Sequence, residues 1–294
     1  MAETDIPGEP VATTTTVTAS KPRSETRETL AFLLKLGLAV AIFRSFFFSP
    51  FFIPSQSMLP RLYVGDYLFI SKWNYGYSRW SLPFGVPLIP GRLFGGTPAR
   101  GDVVVFRGPP GEDHDVIKRV IGLPGDTIQV THGQVILNGV AVPKVPVADF
   151  TIPLSPNYDD PLPGDDGCPA AFRDVLNNVP ICRYKQFHET LPNGVGYNVL
   201  DRGEMTQADE TKVYNVPAGH VFVMGDNRDD SGDSRFPAPN DVLPGESVGM
   251  GYIPLDHIEG KALFTFWSTD GSASWVLPWT WFTAARWSRM GKGF

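Results

Sequence analysis

Between Leu30 and Ile53 the chain reads LAFLLKLGLAVAIFRSFFFSPFFI, with charge or proline only at Lys35, Arg44 and Pro50. No other feature restricts the fold as much. At 1.5 Å per residue, about twenty helical residues cross a hydrocarbon core of roughly 30 Å. Each charge costs about 2.5–3.5 kcal/mol at the bilayer centre and less near an interface, where long side chains snorkel. A span from about Leu30 to Phe48 leaves Lys35 and Arg44 within reach of the two faces. A buried core helix or an interfacial helix is the competing reading. Phenylalanines and prolines, not a small-x-small site, follow the run, so a cleaved signal peptide is not expected. Lys21, Arg23 and Arg27 precede it, and the positive-inside tendency places the tail in the cytoplasm and everything after Ile53 outside. The tail, residues 1–27, contains TTTT and almost no large apolar side chains, so it is expected to be disordered. The anchor is placed at 28–52.

The remainder must fold in water. With 42% apolar and 19% charged residues among 294, it has the makings of one large domain or two modest ones. A net charge of −6 argues against a nucleic-acid partner, which calls for a basic face. Short apolar runs recur: YLFISK (67–72), VVVF (103–106), VIKRVI (116–121), TIQV (127–130), QVILNGVAV (134–142), HVFVM (220–224) and SVGMGYI (247–253). Gly-Asp steps separate them, Asn138-Gly139 is a two-residue hairpin signal, and no helical period links them. The expectation is a mainly β fold, an antiparallel sheet built from 53–142 and 216–270. Residues 143–215, rich in Pro, Asp and Asn, form an inserted smaller subdomain. The C-terminal segment 271–294 carries four tryptophans with arginines and a lysine. It suits either a membrane surface or aromatic packing.

Cys168 and Cys182 are the two cysteines. Two buried free thiols are one reading and a disulfide the other. The disulfide agrees with a location outside the cytoplasm, and closing a loop of that size stabilises by about 3 kcal/mol. Neither zinc ligation nor a metallopeptidase motif is present, so no metal is expected. The acidic loop GDNRDDSGDSRF (225–236) fails as a calcium site, because counting from Asp226 puts Arg228 third and Ser231 where an EF-hand needs glycine.

The run FRSFFFSPFFI is followed directly by PSQSMLP (54–60), two serines around a glutamine. A serine hydroxyl needs a base before it attacks anything. The five histidines sit in no triad setting, and no G-x-S-x-G elbow occurs. In DVIKRVIGLPGD (115–126), strand alternation puts Lys118 on a face with Val116 and Val120. Burial there favours the neutral amine, the form able to take a proton. Arg119 shares the other face with Ile117 and Ile121, so on alternation alone a snorkelling surface lysine is the default reading.

The segment IPSQSMLPRLYVGDYLFISKWNYG (53–76) resembles the serine motif of type I signal peptidases. RGDVVVF (100–106), DVIKRVIGLPGD (115–126) and GDNRDDSGDSRF (225–236) resemble that family's next boxes, in order and after an anchor. The resemblance implies a membrane-bound serine endopeptidase with a Ser/Lys dyad and no cofactor. Its substrates are the signal peptides of exported preproteins, cut after an Ala-x-Ala-like site. It implies Ser57 as nucleophile and Lys118 as general base. Ser55 and the backbone N–H of Ser57 form the oxyanion hole, Ser231 orients the lysine, and Asp233 and Arg235 support the site. Ile53, Met58 and Ile117 are expected to wall the substrate pocket. The implied setting is the bacterial cytoplasmic membrane, crossed once, with the catalytic part on the outer, periplasmic face beside the export translocon. Val116 stands where many relatives carry an aromatic, and PRL (60–62) replaces the more usual proline-threonine-leucine. Two alternatives remain: a related Ser/Lys peptidase that processes conjugation or pilus components or cleaves itself, and a non-catalytic tethered β module.

Overall fold

A computed structural model describes residues 25–111, 114–159, 167–203, 206–243, 246–274 and 276–294. The disordered tail expected over 1–27 lies outside these residues up to 24, and its last three residues are corrected, because 25–27 begin a helix. Helix α1 (Glu25–Phe46) opens with Glu25 and Glu28 and closes with Arg44, each charge opposing the dipole end it sits on. Its 22 residues extend about 33 Å, and it is long and apolar enough to cross a bilayer. Leu30, Leu33, Leu34 and Leu38 are all more than half exposed, so no single stripe seeks a protein core.

The anchor expected over 28–52 is therefore corrected at its end. The helix stops at Phe46, and Phe48–Phe52 is a strand, β1. Pro50 cannot continue a helix but is tolerated on an edge strand. β1 has that edge position, pairing antiparallel only with β2 (Asp66–Ser71), from Phe48↔Ser71 to Phe52↔Tyr67.

The principal sheet has seven strands. After β1 and β2 come β3 (Val103–Arg107), β4 (Asp115–Gly122), β5 (His220–Met224), β6 (Ile253–Pro254) and β7 (Ile258–Ser268). Their order in space is β1-β2-β7-β3-β4-β5-β6, every pairing antiparallel. The last strand in sequence thus joins the β1–β2 pair to the rest. VVVF reads as unbroken apolar because it is buried on both faces. Val103 and Val105 pack with Ile53, Met58, Leu62, Leu68, Ile70 and Ala262. Val104 and Phe106 pack with Val116, Val120, Val221 and Ile253 on the other side.

Besides a two-stranded ribbon of Tyr77–Ser78 and Arg92–Leu93, two four-stranded sheets accompany this one. One contains Thr127–Thr131, Gln134–Leu137, Val140–Ala141 and Tyr214–Asn215. Its hairpin turns at Asn138 (φ 52) and Gly139 (φ 77), the pair of positive φ angles that the Asn-Gly signal promised. The other is the body of the insertion. Val179–Thr190 pairs with Lys144–Pro153, with Arg173–Leu176 and with Gly196–Asp201. Residues 127–141, assigned from the sequence to the core sheet, lie outside it. Ile128, Val130 and Leu137 share a core with Leu191 and Val199 of the insertion. The expected strand 247–253 is also corrected, since only Ile253 enters one.

Residues 41–294 form one compact unit. The C-terminal segment belongs to it. Arg289, 5% exposed, donates from Nη2 to Asp66 Oδ2 at 2.5 Å, and Thr265 N donates to Lys292 O at 3.0 Å. Trp279, Phe282 and Trp287 remain exposed, so the segment both packs and presents aromatic surface.

Candidate active site

β1 runs out at Phe52, and the chain turns sharply over Ser55–Pro60. Leu59 N donates to Gln56 O at 2.9 Å, and Leu62 N to Met58 O at 2.9 Å. Met58, Leu59 and Leu62 are fully buried. These apolar side chains pull one face of the turn into the core and leave the serines on the other. Met58 is accordingly not a wall of the cleft, as the sequence suggested. It lies beneath the turn with Leu62, Leu68 and Val105.

Lys118 arrives from β4, opposite Val104 of β3. Its Nζ lies 2.7 Å from Ser57 Oγ, and the two residues are 4% and 8% exposed. Ser55 Oγ lies 3.4 Å from Ser57 Oγ. The ambiguity left by strand alternation is resolved by Arg119, which faces the other way. It donates to both oxygens of Asp226, at 2.7 and 2.6 Å, and to Gly101 O at 2.7 Å. Burial opposes its charge, yet Asp226 outweighs that effect and holds the guanidinium more firmly protonated than usual.

The third component is the loop after β5. Asn227 N donates to Ser57 O at 3.1 Å, and Asn227 Nδ2 to Gln56 O at 3.2 Å. Gly225 has no room for a side chain: a Cβ there would lie 2.4 Å from Ser231 Oγ and 2.6 Å from Ser57 O. Ser231 lines the same cleft as Lys118. Its buried Oγ makes no hydrogen bond among the described residues. Asp233 is fully buried and accepts from Arg235 Nε at 2.9 Å and from Gly225 N at 2.9 Å. Burial favours its neutral form, but Arg235 and these donors prevail and keep the carboxyl below its ordinary range. Burial drives Asp229 the other way, up to about 6.

The cleft over the dyad measures about 510 Å³. Ile53 and Ile117 do line it, with Phe51, Val116 and Met250. The stretch 51–57 and the start of β4 both line it. Asp115–Lys118 of β4 pair with β3, and the pairing with β5 begins at Arg119.

Sequence reasoning missed the ties that reach the insertion. Arg228 pairs with both oxygens of Glu189 at 2.6 and 2.5 Å, and both residues are buried. Gln56 Nε2 donates to Gly167 O at 2.5 Å, and Gly167 leads into the disulfide that Cys168 forms with Cys182. The partners are far apart in sequence, so no local pattern signals them.

The family model described as signal peptidase, peptidase S26, matches residues 26–267. Signal peptidase I of Rickettsia typhi is 34% identical over 251 residues, covering 83% of this chain and 80% of the relative. Signal peptidase I of Rickettsia akari is 34% identical over 247 residues, covering 81% and 77%. A crystal structure of a signal peptidase I from Enterococcus faecalis V583 aligns with 56% of this chain and 97% of its own, at 27% identity and a TM-score of 0.26.

Proposed function

This chain belongs to the signal peptidase family, peptidase S26, and from that premise we propose that it removes signal peptides by a Ser57–Lys118 dyad. The observation that carries the reading is the 2.7 Å approach of Lys118 Nζ to Ser57 Oγ in a buried setting. A neutral Lys118 accepts the Ser57 proton as Oγ attacks the carbonyl carbon of the scissile bond. The carbonyl electron pair moves to oxygen, where the Ser57 N–H and the Ser55 hydroxyl stabilise it. Each well-placed donor of this kind contributes about 3–4 kcal/mol. Collapse expels the amine, which takes the proton from Lys118. Water then repeats the sequence on the acyl-enzyme with the same base. Asp233 and Arg235 hold the loop that carries Ser231, the residue assigned to orient the lysine.

The substrate lies extended between the 51–57 stretch and β4, with Ile53 and Ile117 selecting small residues one and three before the cut, as in Ala-x-Ala. Ten residues separate the end of α1 at Phe46 from Ser57, a short tether between a membrane span and a nucleophile. We assign the span to the bacterial cytoplasmic membrane, with residues after it on the outer face, near the export translocon and the lipid surface. The test is cleavage of a preprotein bearing Ala-x-Ala by purified full-length protein, with Ser57→Ala alongside. Cleavage at that bond, abolished in the variant together with labelling by a serine-directed acylating inhibitor, is the expected result. A Ser57→Ala protein that still cuts would overturn the assignment.

A further inference from the structure

The turn that carries Ser57 is held at Gln56 from two sides. Gln56 is 1% exposed. Its backbone carbonyl accepts from Asn227 Nδ2 at 3.2 Å, while its side chain reaches into the insertion and donates to Gly167 O at 2.5 Å. Gly167 immediately precedes Cys168, whose disulfide to Cys182 ties it to the central strand of the insertion sheet, where Cys182 pairs with Ile152 and Arg173. Cys168 is fixed further by its N–H to Tyr158 O at 2.9 Å and by Arg173 Nε to its carbonyl at 3.0 Å. Both cysteines pack with Leu59 and Val64, residues that follow the same turn.

The geometry at Gln56 bears on chemistry because a peptide group is planar. The Gln56 carbonyl and the Ser57 N–H belong to one plane, so whatever fixes the first aims the second. We propose that Gln56 is a positioning residue for the oxyanion hole, and that the Cys168–Cys182 disulfide acts through Gly167 to hold it. The inference rests on the dyad reading above. Gln56 touches no reacting atom. It sets the direction of one donor, whose loss costs about 10²–10³ in kcat where such donors have been removed. A loosened donor should cost less.

The experiment is a double-mutant cycle on full-length protein, with kcat normalised to active sites by the burst of acyl-enzyme. Gln56→Met keeps the volume and deletes the donor, and Cys168→Ala/Cys182→Ala deletes the cross-link. Gln56→Met is expected to lower kcat by about 10- to 100-fold with KM unchanged. The cysteine variant is expected to lower kcat in the Gln56 background and to have no further effect on kcat in the Gln56→Met background. A purely structural disulfide lowers Tm equally in both backgrounds and leaves kcat per active site alone, which would overturn the proposal. So would wild-type kcat in Gln56→Met, or losses that multiply in the combined variant. Ser57→Ala separates the two levels. If it stays active, the dyad reading fails. If it is dead while Gln56→Met is as fast as wild type, only the positioning role fails.

Discussion

Gly225 shows how tightly the proposed chemistry is packed at single residues. A Cβ at that position meets both Ser231 Oγ and Ser57 O well inside contact distance, and neither backbone nor short hydroxyl can retreat far. Gly225→Ala should therefore cost at least 100-fold in cleavage rate and about 1–3 kcal/mol in stability, measured by preprotein cleavage and by denaturant unfolding. Lys118→Arg tests the base: a guanidinium stays protonated and cannot accept the Ser57 proton. That variant should fold and be inactive, and retained activity would exclude the mechanism. Activity should rise with pH as the base loses its proton, and a flat profile would count against it. Asp229 gives a pH effect on stability. Burial raises its carboxyl to about 6, so the folded state binds the proton better than the unfolded chain. The associated stability is complete below the unfolded carboxylate range and is lost as pH rises through about 6. Asp229→Asn should then raise Tm more at pH 8 than at pH 5, as read by thermal unfolding at the two values. At this scale the sequence singled out Ser57 and Lys118 through local motifs, and the structure brings their side chains to 2.7 Å. It was silent on Gln56, whose side-chain partner lies 111 residues away.

Among the elements, β4 is where pattern and structure agree best after one ambiguity is settled. Two basic residues in succession must face opposite ways on a strand. Lys118 faces the hydroxyl and Arg119 faces Asp226. The ion pair is nearly sealed, with side chains 5% and 1% exposed, so removing one partner leaves a charge with poor solvation. Asp226→Ala is expected to destabilise by about 3–5 kcal/mol, measured by denaturant unfolding. Replacing both residues with apolar side chains should cost less. The strand expected at 247–253 fails for a visible reason. Gly249 N, Met250 N and Gly251 N donate to Pro237 O, Asp233 O and Phe236 O, in the loop around the Asp233–Arg235 pair. A Cβ on Gly249 would lie 2.5 Å from Asp233 O. The glycines marked close backbone approach, which alternation of apolar residues does not reveal. The end of α1 was misplaced for a similar reason. A run of phenylalanines reads equally as membrane span or buried strand, and sheet pairing decides between them.

For the molecule as a whole, the sequence revealed a mainly β architecture and its order of boxes, because each box is a short strand, a turn beside one, or both. The boundary of the insertion was less visible, since the hairpin 134–141 obeys local turn rules whichever sheet it joins. The strand order matters most at this scale. Ser57 follows the β1–β2 side of the principal sheet and Lys118 stands on the β3–β4 side, with β7 pairing to both β2 and β3. Protein truncated before Ile258 carries both residues of the proposed dyad but lacks the strand between their halves. It is expected to show no cleavage and no acylation, which an inhibitor-labelling assay of the truncated form would check. During synthesis, the ribosome delivers that seam after everything else in the sheet. Until that strand emerges, the two halves of the proposed dyad share no neighbour in the sheet, so a nascent polypeptide is expected to remain inert.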